Sequence, residues 1–214
     1  MKMQSRKWLK RKLREIQSLE SYSIHRTVES VAKQFGIAAA EVVKLNYNEN
    51  FFIPQEKFKE ILKEIAEEWD PRVYPQEEEY KLKEKLANYL NVPKDFIVVG
   101  NGSDELIERS ARLFLKKKDH VLSIKPTFPI YKYCISHLGA KYGEVPLKKD
   151  FGLNTKEILA MTTPKTRILY LCSPNNPTAN QFGIREIQSL VEKFPGIVIV
   201  DEAYVEYAEY SVVP

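Results

Sequence analysis

Residues 168–180 read ILYLCSPNNPTAN, an apolar run that ends in two asparagines enclosed by two prolines. A short continuous apolar run bounded by turn residues is typical of a strand that is buried on both faces of a sheet. Because each proline fixes its own φ angle, the turn after the run has few available conformations. The stretch therefore predicts a buried strand over residues 168–172, followed by a rigid turn that holds two side-chain amides.

Three further apolar runs of this kind predict strands at residues 96–99, 121–124 and 197–200. Apolar residues at helical spacing predict helices around them. These helices cover residues 26–35, 58–69, 77–90, 104–115 and 184–194, with another that runs to residue 138. Buried strands separated by helices are typical of one architecture, an α/β fold with a largely parallel sheet and flanking helices.

A polar cluster stands at the carboxyl end of each predicted strand. The four clusters are GNGSDE (100–105), PTFPIY (126–131), SPNNPT (173–178) and DEAY (201–204). Parallel strands end at the same edge of a sheet, and open α/β sheets bind their ligands at that edge. The four clusters therefore predict a single ligand site.

The GNGSDE cluster is suited to an anion. Its glycines allow close backbone approach, and Ser103 can cap a helix that begins near Asp104. Exposed amides at such a helix start favour a phosphate through hydrogen bonds and the helix dipole. The alternative is an ordinary glycine turn with a capping serine.

Asp201 ends the predicted strand 197–200, where a half-desolvated carboxylate needs a partner. The partner could be a metal, a basic side chain or a protonated ring nitrogen, and a plain helix cap is the alternative. The three histidines show no metal-ligand spacing, which argues against a metal. Phe128 is either a flat face on which a ring can stack or an aromatic residue of the core, and the amides of the NNP turn can donate to an oxygen beside such a ring. Together these groups predict a pocket for a phosphorylated aromatic cofactor.

Composition excludes several classes of protein. The formal net charge of the 214 residues is only +4, with the basic excess concentrated in residues 2–14. That segment predicts a basic amphipathic helix, either the solvated face of a terminal arm or a contact for membrane or nucleic acid. No apolar run approaches the ~18 residues of a membrane span, and two cysteines make no disulfide framework. We therefore expect a cytoplasmic protein that binds neither nucleic acid nor membrane.

The clusters, with KLNYNEN at residues 44–50, resemble the pyridoxal-phosphate-dependent aminotransferases of fold type I in order and spacing. Within that fold the chain is most similar to the histidinol-phosphate aminotransferases. The resemblance implies that residues 1–52 form an N-terminal helical arm and the first piece of the small domain. It implies that residues 53–214 form the N-terminal part of the large domain that binds pyridoxal phosphate.

The resemblance also assigns roles by matching position. The amides of Ser103, Asp104 and Glu105 would hold the cofactor phosphate, and Tyr74 would reach the phosphate in the neighbouring subunit of a homodimer. The remaining assignments concern the ring and the substrate: Phe128 stacks on the ring, Asn176 and Tyr204 bind its phenolic oxygen, Asp201 pairs with its nitrogen, and Tyr22 and Asn48 approach the substrate. Asp201 and Tyr204 would thus be the catalytic residues of this chain.

The implied reaction converts histidinol phosphate, a phosphorylated amino alcohol, and 2-oxoglutarate into imidazole acetol phosphate and glutamate in histidine biosynthesis. Two motif positions depart from the family, Phe51 after NEN and Ala179 after NPT. The family's cofactor-binding lysine follows the aspartate, but the last lysine here is Lys193. We therefore expect an incomplete chain, inactive alone. The alternatives are a threonine-phosphate decarboxylase, an aromatic aminotransferase or a non-catalytic remnant.

Overall fold

The structure is a computed structural model that describes residues 2–18, 26–74 and 77–213, with side chains described from residue 7 onward. The chain divides into two compact units, one made of residues 23–81 and the other of residues 1–22 with 82–214. The predicted domain boundary after residue 52 stays a prediction, since this division reflects local compactness alone.

The N-terminal segment forms the predicted basic helix, α1, over Lys2–Gln17. In the unit of residues 23–81, α2 spans Val28–Phe35 and α3 spans Gln55–Glu68. Thr27 caps α2 by accepting a hydrogen bond from the Ser30 amide at 3.2 Å, and Gly36 ends the helix with a φ of 66°. A left-handed residue of this kind is a common helix stop, and glycine adopts it without strain. Helix α4 follows at Glu78–Leu90.

The larger unit is built on a parallel sheet, as predicted. After α5 (Gly102–Phe114) come β1 (His120–Lys125), α6 (Ile130–Leu138) and β2 (Lys141–Pro146). Then follow α7 (Thr155–Ala160), β3 (Thr166–Cys172), α8 (Ile184–Lys193) and β4 (Ile197–Asp201). The strand order is β2-β1-β3-β4, and every neighbouring pair is parallel.

Both faces of the sheet are covered, which explains the continuous apolar strands. Leu169 and Leu171 of β3 lie in a buried cluster with residues of α7 and α8. The alternate residues Ile168 and Tyr170 lie in a second cluster with residues of α5 and α6. Successive side chains of a strand point to opposite faces, so a strand between two helical layers has no polar face.

One predicted strand is wrong. Residues 94–96 form a single 3₁₀ turn, and residues 97–100 pair with no strand of the described chain. Phe96 and Val98 are 80% and 68% exposed. A strand exists only through its hydrogen-bonded partner, so an apolar run without one stays an unpaired extended segment.

Candidate functional site

The chain reverses its direction of winding between β1 and β3. From β1 it moves outward to β2, then crosses back over β1 to β3 and continues to β4. In open parallel sheets, such a reversal opens a crevice at the carboxyl ends of the strands. The loops after β1 and β3 lie on either side of this crevice, and they carry Phe128 and Asn176. Two of the predicted site residues, Phe128 and Asn176, therefore lie on the loops beside this crevice.

Asp201 is the last residue of β4 and is only 8% exposed. Its Oδ2 accepts a hydrogen bond from the Tyr131 hydroxyl at 2.7 Å, and its Oδ1 accepts one from the Ala203 amide at 3.1 Å. Within the described residues, no lysine, arginine or histidine forms an ion pair with it. The carboxylate also caps no helix, because the next 3₁₀ turn is preceded by Tyr204.

Three aromatic rings pack against one another, and one of them, Tyr131, contacts this carboxylate. Tyr131 is fully buried and stacks on Tyr170, with ring centroids 4.9 Å apart and planes 9° from parallel. Phe128 meets the edge of Tyr131 at a centroid distance of 5.8 Å and is only half-buried. Phe128 is therefore anchored by the core and still presents part of its surface outward. Both sequence interpretations of this residue, core aromatic and stacking face, are compatible with that position.

Burial and the charge of Asp201 raise the pKa of Tyr131 far above its ordinary value. The same two causes raise the pKa of Cys172 to about 11. Both groups therefore stay protonated at neutral pH. Each keeps a proton to donate within the buried surroundings of the carboxylate.

The two asparagines of the SPNNPT turn differ in role. Asn175 is 2% exposed, and its amide nitrogen donates to the Pro126 carbonyl at 3.0 Å and to the Thr178 hydroxyl at 2.6 Å. Its Oδ1 accepts a hydrogen bond from the Thr127 hydroxyl at 2.9 Å. Asn175 thus fastens the loop after β3 to the loop after β1. Asn176 is half-buried, and no side-chain hydrogen bond of it is described.

Sequence reasoning missed Asn175 and Tyr131. The sequence does not distinguish Asn175 from Asn176, although burial of the whole turn requires one of the two amides to bond inward. Tyr131 belongs to the PTFPIY cluster, but its partner lies 70 residues away in the sequence. The clue to both was the same, since a buried polar residue at a strand end must find a partner.

The start of α5 corrects one prediction. The helix begins at Gly102, so Asn101 is the cap position and Ser103 is the second helical residue, not the cap. Gly102 has a φ of 77°, a left-handed conformation that glycine adopts without strain, and the helix begins two residues before its predicted start near Asp104. The Glu105 carboxylate instead accepts a hydrogen bond from the Asn101 amide. The first N–H groups of the helix still have no partner within it, as an anion site requires.

Desolvation, and then the negative charge of Asp201, raise the pKa of Asp104 above its ordinary value. Electrostatic coupling between the two carboxyls relates the start of α5 to the end of β4. GNGSDE follows no strand of the structure, and α5, which begins within it, covers the same face of the sheet as α6 in the cluster that contains Tyr131.

The structure does not test the roles of the other predicted residues. Tyr204 lies three residues after the end of β4 and is half-buried. Tyr74, which is 91% exposed, and Asn48, which has a φ of 54°, belong to the unit of residues 23–81. Tyr22 lies outside the described residues. Their assigned roles stay predictions.

Two kinds of feature are absent from the described residues. None of the described helices has the length and apolar character needed to cross a membrane. In the same part of the chain, no group of three or more histidine, cysteine or acidic side chains could hold a metal ion.

Comparison with known proteins gives these features a family. Residues 40–212 match the family described as aminotransferase class I and II. The histidinol-phosphate aminotransferase of Methanococcoides burtonii is 36% identical over 199 residues, which are 92% of this chain and 55% of that protein. The enzyme of the same name from Bacillus cytotoxicus is 35% identical over 193 residues, which are 89% of this chain and 51% of that protein. The chain thus spans about half the length of the curated relatives it matches.

Solved structures show the same fold. The histidinol-phosphate aminotransferase from Sinorhizobium meliloti, solved in complex with pyridoxal-5′-phosphate, superposes with a TM-score of 0.77. The match covers 94% of this chain and 53% of that one, at 24% sequence identity. Alanine aminotransferase from Pyrococcus furiosus gives a TM-score of 0.65 at 22% identity, covering 82% of this chain and 47% of that one. The predicted fold is thereby confirmed, and the chain belongs to the aminotransferase class I and II family.

Proposed function

We propose that this chain is part of a pyridoxal-phosphate-dependent aminotransferase of histidine biosynthesis. The proposed reaction transfers the amino group of histidinol phosphate to 2-oxoglutarate and yields imidazole acetol phosphate and glutamate. The names of the two curated relatives support this substrate. The observation that carries the proposal is the buried carboxylate of Asp201 at the carboxyl end of β4.

The donor and acceptor chemistry of the site fits the cofactor. A carboxylate has about four acceptor positions, and the described contacts of Asp201 come from one hydroxyl and one amide. Asp201 therefore keeps acceptor capacity for the protonated nitrogen of a pyridine ring. Phe128 would cover one face of that ring, and Asn176 and Tyr204 would donate to its phenolic oxygen. The amides of Ser103, Asp104 and Glu105 would bind the phosphate at the start of α5.

When bound, pyridoxal phosphate supplies an electron sink for the charge that develops on the substrate. The contribution of this chain is to orient the ring and to keep its nitrogen protonated. Asp201 would keep the nitrogen protonated through a charge-assisted hydrogen bond, which contributes roughly 1.5–3 kcal/mol. The rigid SPNNPT turn would orient the ring, because Asn175 fixes the loop from which Asn176 extends.

Three further roles belong to the same proposal. Tyr74 would reach the cofactor phosphate of the neighbouring subunit in a homodimer, and its 91% exposure leaves it available for such a contact. Tyr22 and Asn48 would contact the substrate.

No lysine follows Lys193 in the sequence, so no residue of this chain is assigned the covalent attachment of the cofactor. We place the protein in the cytoplasm, where histidine biosynthesis takes place.

The cofactor site is tested by titrating the protein with pyridoxamine 5′-phosphate in a calorimeter. The parent should bind this ligand, and Asp201→Asn should weaken binding by about 10- to 100-fold, the loss expected for one charge-assisted hydrogen bond. Asp119→Asn is the matched control, because Asp119 directly precedes β1 and so lies at the opposite edge of the sheet. Equal affinities for the parent and Asp201→Asn would refute the proposed pairing.

The substrate is tested by joining this chain to the part of the M. burtonii relative that lies beyond the matched region. The fusion should form glutamate from 2-oxoglutarate fastest with histidinol phosphate as the amino donor. Release of carbon dioxide from phosphothreonine would favour a decarboxylase, and a preference for phenylalanine would favour an aromatic aminotransferase. A folded fusion that binds cofactor and turns over none of these would favour a non-catalytic remnant.

A further inference from the structure

Among the described residues, Tyr131 is the only one whose side chain donates a hydrogen bond to the Asp201 carboxylate. Its hydroxyl lies 2.7 Å from Oδ2, while Oδ1 accepts from the Ala203 backbone amide at 3.1 Å. One donor on each oxygen fixes the rotation of a carboxylate about its terminal bond. The direction in which Asp201 presents its remaining acceptor positions therefore depends on Tyr131.

The hydroxyl of Tyr131 is itself held by packing. The side chain is fully buried, stacks on Tyr170 at 4.9 Å and makes a T-shaped contact with Phe128 at 5.8 Å. A ring confined on both sides loses little further freedom when its hydroxyl bonds to a partner. Tyr131 is thus a rigid support for Asp201.

The other groups that face Asp201 cannot replace this donor. The Asp104 carboxyl on α5 is acidic and interacts with Asp201 by repulsion, which contributes to its raised pKa. Cys172, the residue paired with Asp201 across β3 and β4, directs its sulfhydryl to the Pro174 carbonyl at 3.3 Å. A hydrogen bond to a buried carboxylate favours its charged form, and here Tyr131 is the side chain that provides it.

We propose that Tyr131 is a positioning residue for the cofactor ring, acting through Asp201. By holding the carboxylate charged and correctly rotated, it keeps the proton on the pyridine nitrogen. This role rests on the proposed function, since it requires that a pyridine ring bind against Asp201. We therefore expect that removal of the Tyr131 hydroxyl makes the pyridine nitrogen easier to deprotonate, although no residue in contact with that nitrogen is changed.

The test compares Tyr131→Phe with Tyr170→Phe. Both substitutions remove one buried hydroxyl from stacked rings, but the Tyr170 hydroxyl lies 3.0 Å from Ser110 and does not reach Asp201. The ultraviolet absorbance of bound pyridoxamine 5′-phosphate is followed against pH, because it changes when the ring nitrogen loses its proton. In Tyr131→Phe this change should occur about one pH unit lower than in the parent, and affinity should fall about tenfold. Tyr170→Phe should leave both unchanged.

The possible results distinguish a failure of the role of Tyr131 from a failure of the proposed function. A titration in Tyr131→Phe that matches the parent, moves upward, or moves no further than in Tyr170→Phe would overturn the role of Tyr131 and leave the cofactor site intact. A parent protein that does not bind pyridoxamine 5′-phosphate would refute the proposed function, and with it this role.

A second measurement needs no substitution that affects folding. In the parent protein with ¹³C-labelled tyrosine, the Cζ resonance of Tyr131 should shift on binding of pyridoxamine 5′-phosphate more than that of Tyr170. A larger shift at Tyr170 would contradict the proposal.

Discussion

Leu169 in the centre of the sheet is fully buried, whereas Leu62 on α3 leaves 64% of its surface exposed. The difference extends to their surroundings. The sheet unit has two buried apolar clusters, while Ala32 is the single buried residue among the described positions of the unit of residues 23–81. The apolar stripe of α3 is exposed along its length, with Phe58, Ile61, Ile65 and Trp69 each at least 40% exposed.

The two units differ in how far this chain buries their apolar side chains and pairs their buried polar groups. The sheet unit satisfies its buried polar groups internally, for example through Asn175 and Tyr131, and its ligand edge is built from its own loops. The unit of residues 23–81 forms helices, and α2 is capped at both ends, but little of the unit is buried. Helical stability in proteins comes mostly from packing of the apolar face, so the two units should respond very differently to the same kind of substitution.

The largest difference is expected from matched leucine substitutions. Leu169→Ala should lower the free energy of unfolding by about 2–5 kcal/mol, since it opens a cavity between strands and helices. Leu62→Ala should change it by about 0.5 kcal/mol or less, as exposed positions do. Urea unfolding followed by circular dichroism measures both. Similar losses in the two variants would mean that α3 contributes to the same core.

A smaller effect should distinguish the two asparagines. Asn175→Ala removes three hydrogen bonds from a buried turn and leaves the Thr127 hydroxyl and Pro126 carbonyl without their partner. It should cost about 1–3 kcal/mol of stability. Asn176→Ala should leave stability nearly unchanged and weaken pyridoxamine 5′-phosphate binding severalfold. A stability loss at Asn176 as large as that at Asn175 would show that both amides are structural.

The smallest effect concerns pH. The pKa of Asp104 is raised in the folded protein, by desolvation first and then by the charge of Asp201. Its contribution to stability is therefore fully present below the ordinary carboxyl pKa of 3.8 and is lost as the pH rises through the folded value. Asp104→Asn should remove this dependence, with a difference of about 0.5 kcal/mol or less at neutral pH for so exposed a group. If the Asp104→Asn variant lost stability more steeply than the parent as the pH rises, the sign assigned to the contribution of Asp104 would be wrong.

Sequence patterns predicted the sheet where strands are buried on both faces. The runs at β3 and β4 are continuously apolar, the run at β1 is interrupted only by the buried Ser123, and the ligand edge follows from their polar ends. The pattern failed at β2, which lies at the edge of the sheet and whose sequence KYGEVP mixes polar and apolar residues, so it lacks the apolar run. It failed again at residues 96–99, because an apolar run does not reveal whether a partner strand exists.

The site was predictable in its location and less so in its internal contacts. Asp201 and Asn176 stand out because carboxylate and amide groups at strand ends are unusual in apolar surroundings. The supporting residues could not be recognised in the same way. The bonds of Tyr131 to Asp201 and of Asn175 to Pro126 join segments 70 and 49 residues apart, and only the folded sheet brings those segments together.

The account depends most on the pairing of Asp201 with a protonated pyridine ring. The most direct test is the ¹⁵N chemical shift of the ring nitrogen in labelled pyridoxamine 5′-phosphate bound to the parent and to Asp201→Asn. At neutral pH the parent should show the shift of a protonated pyridinium, and Asp201→Asn should show that of an unprotonated ring. The same shift in both proteins, with binding demonstrated in each, would contradict the role of Asp201 on which the proposed function rests.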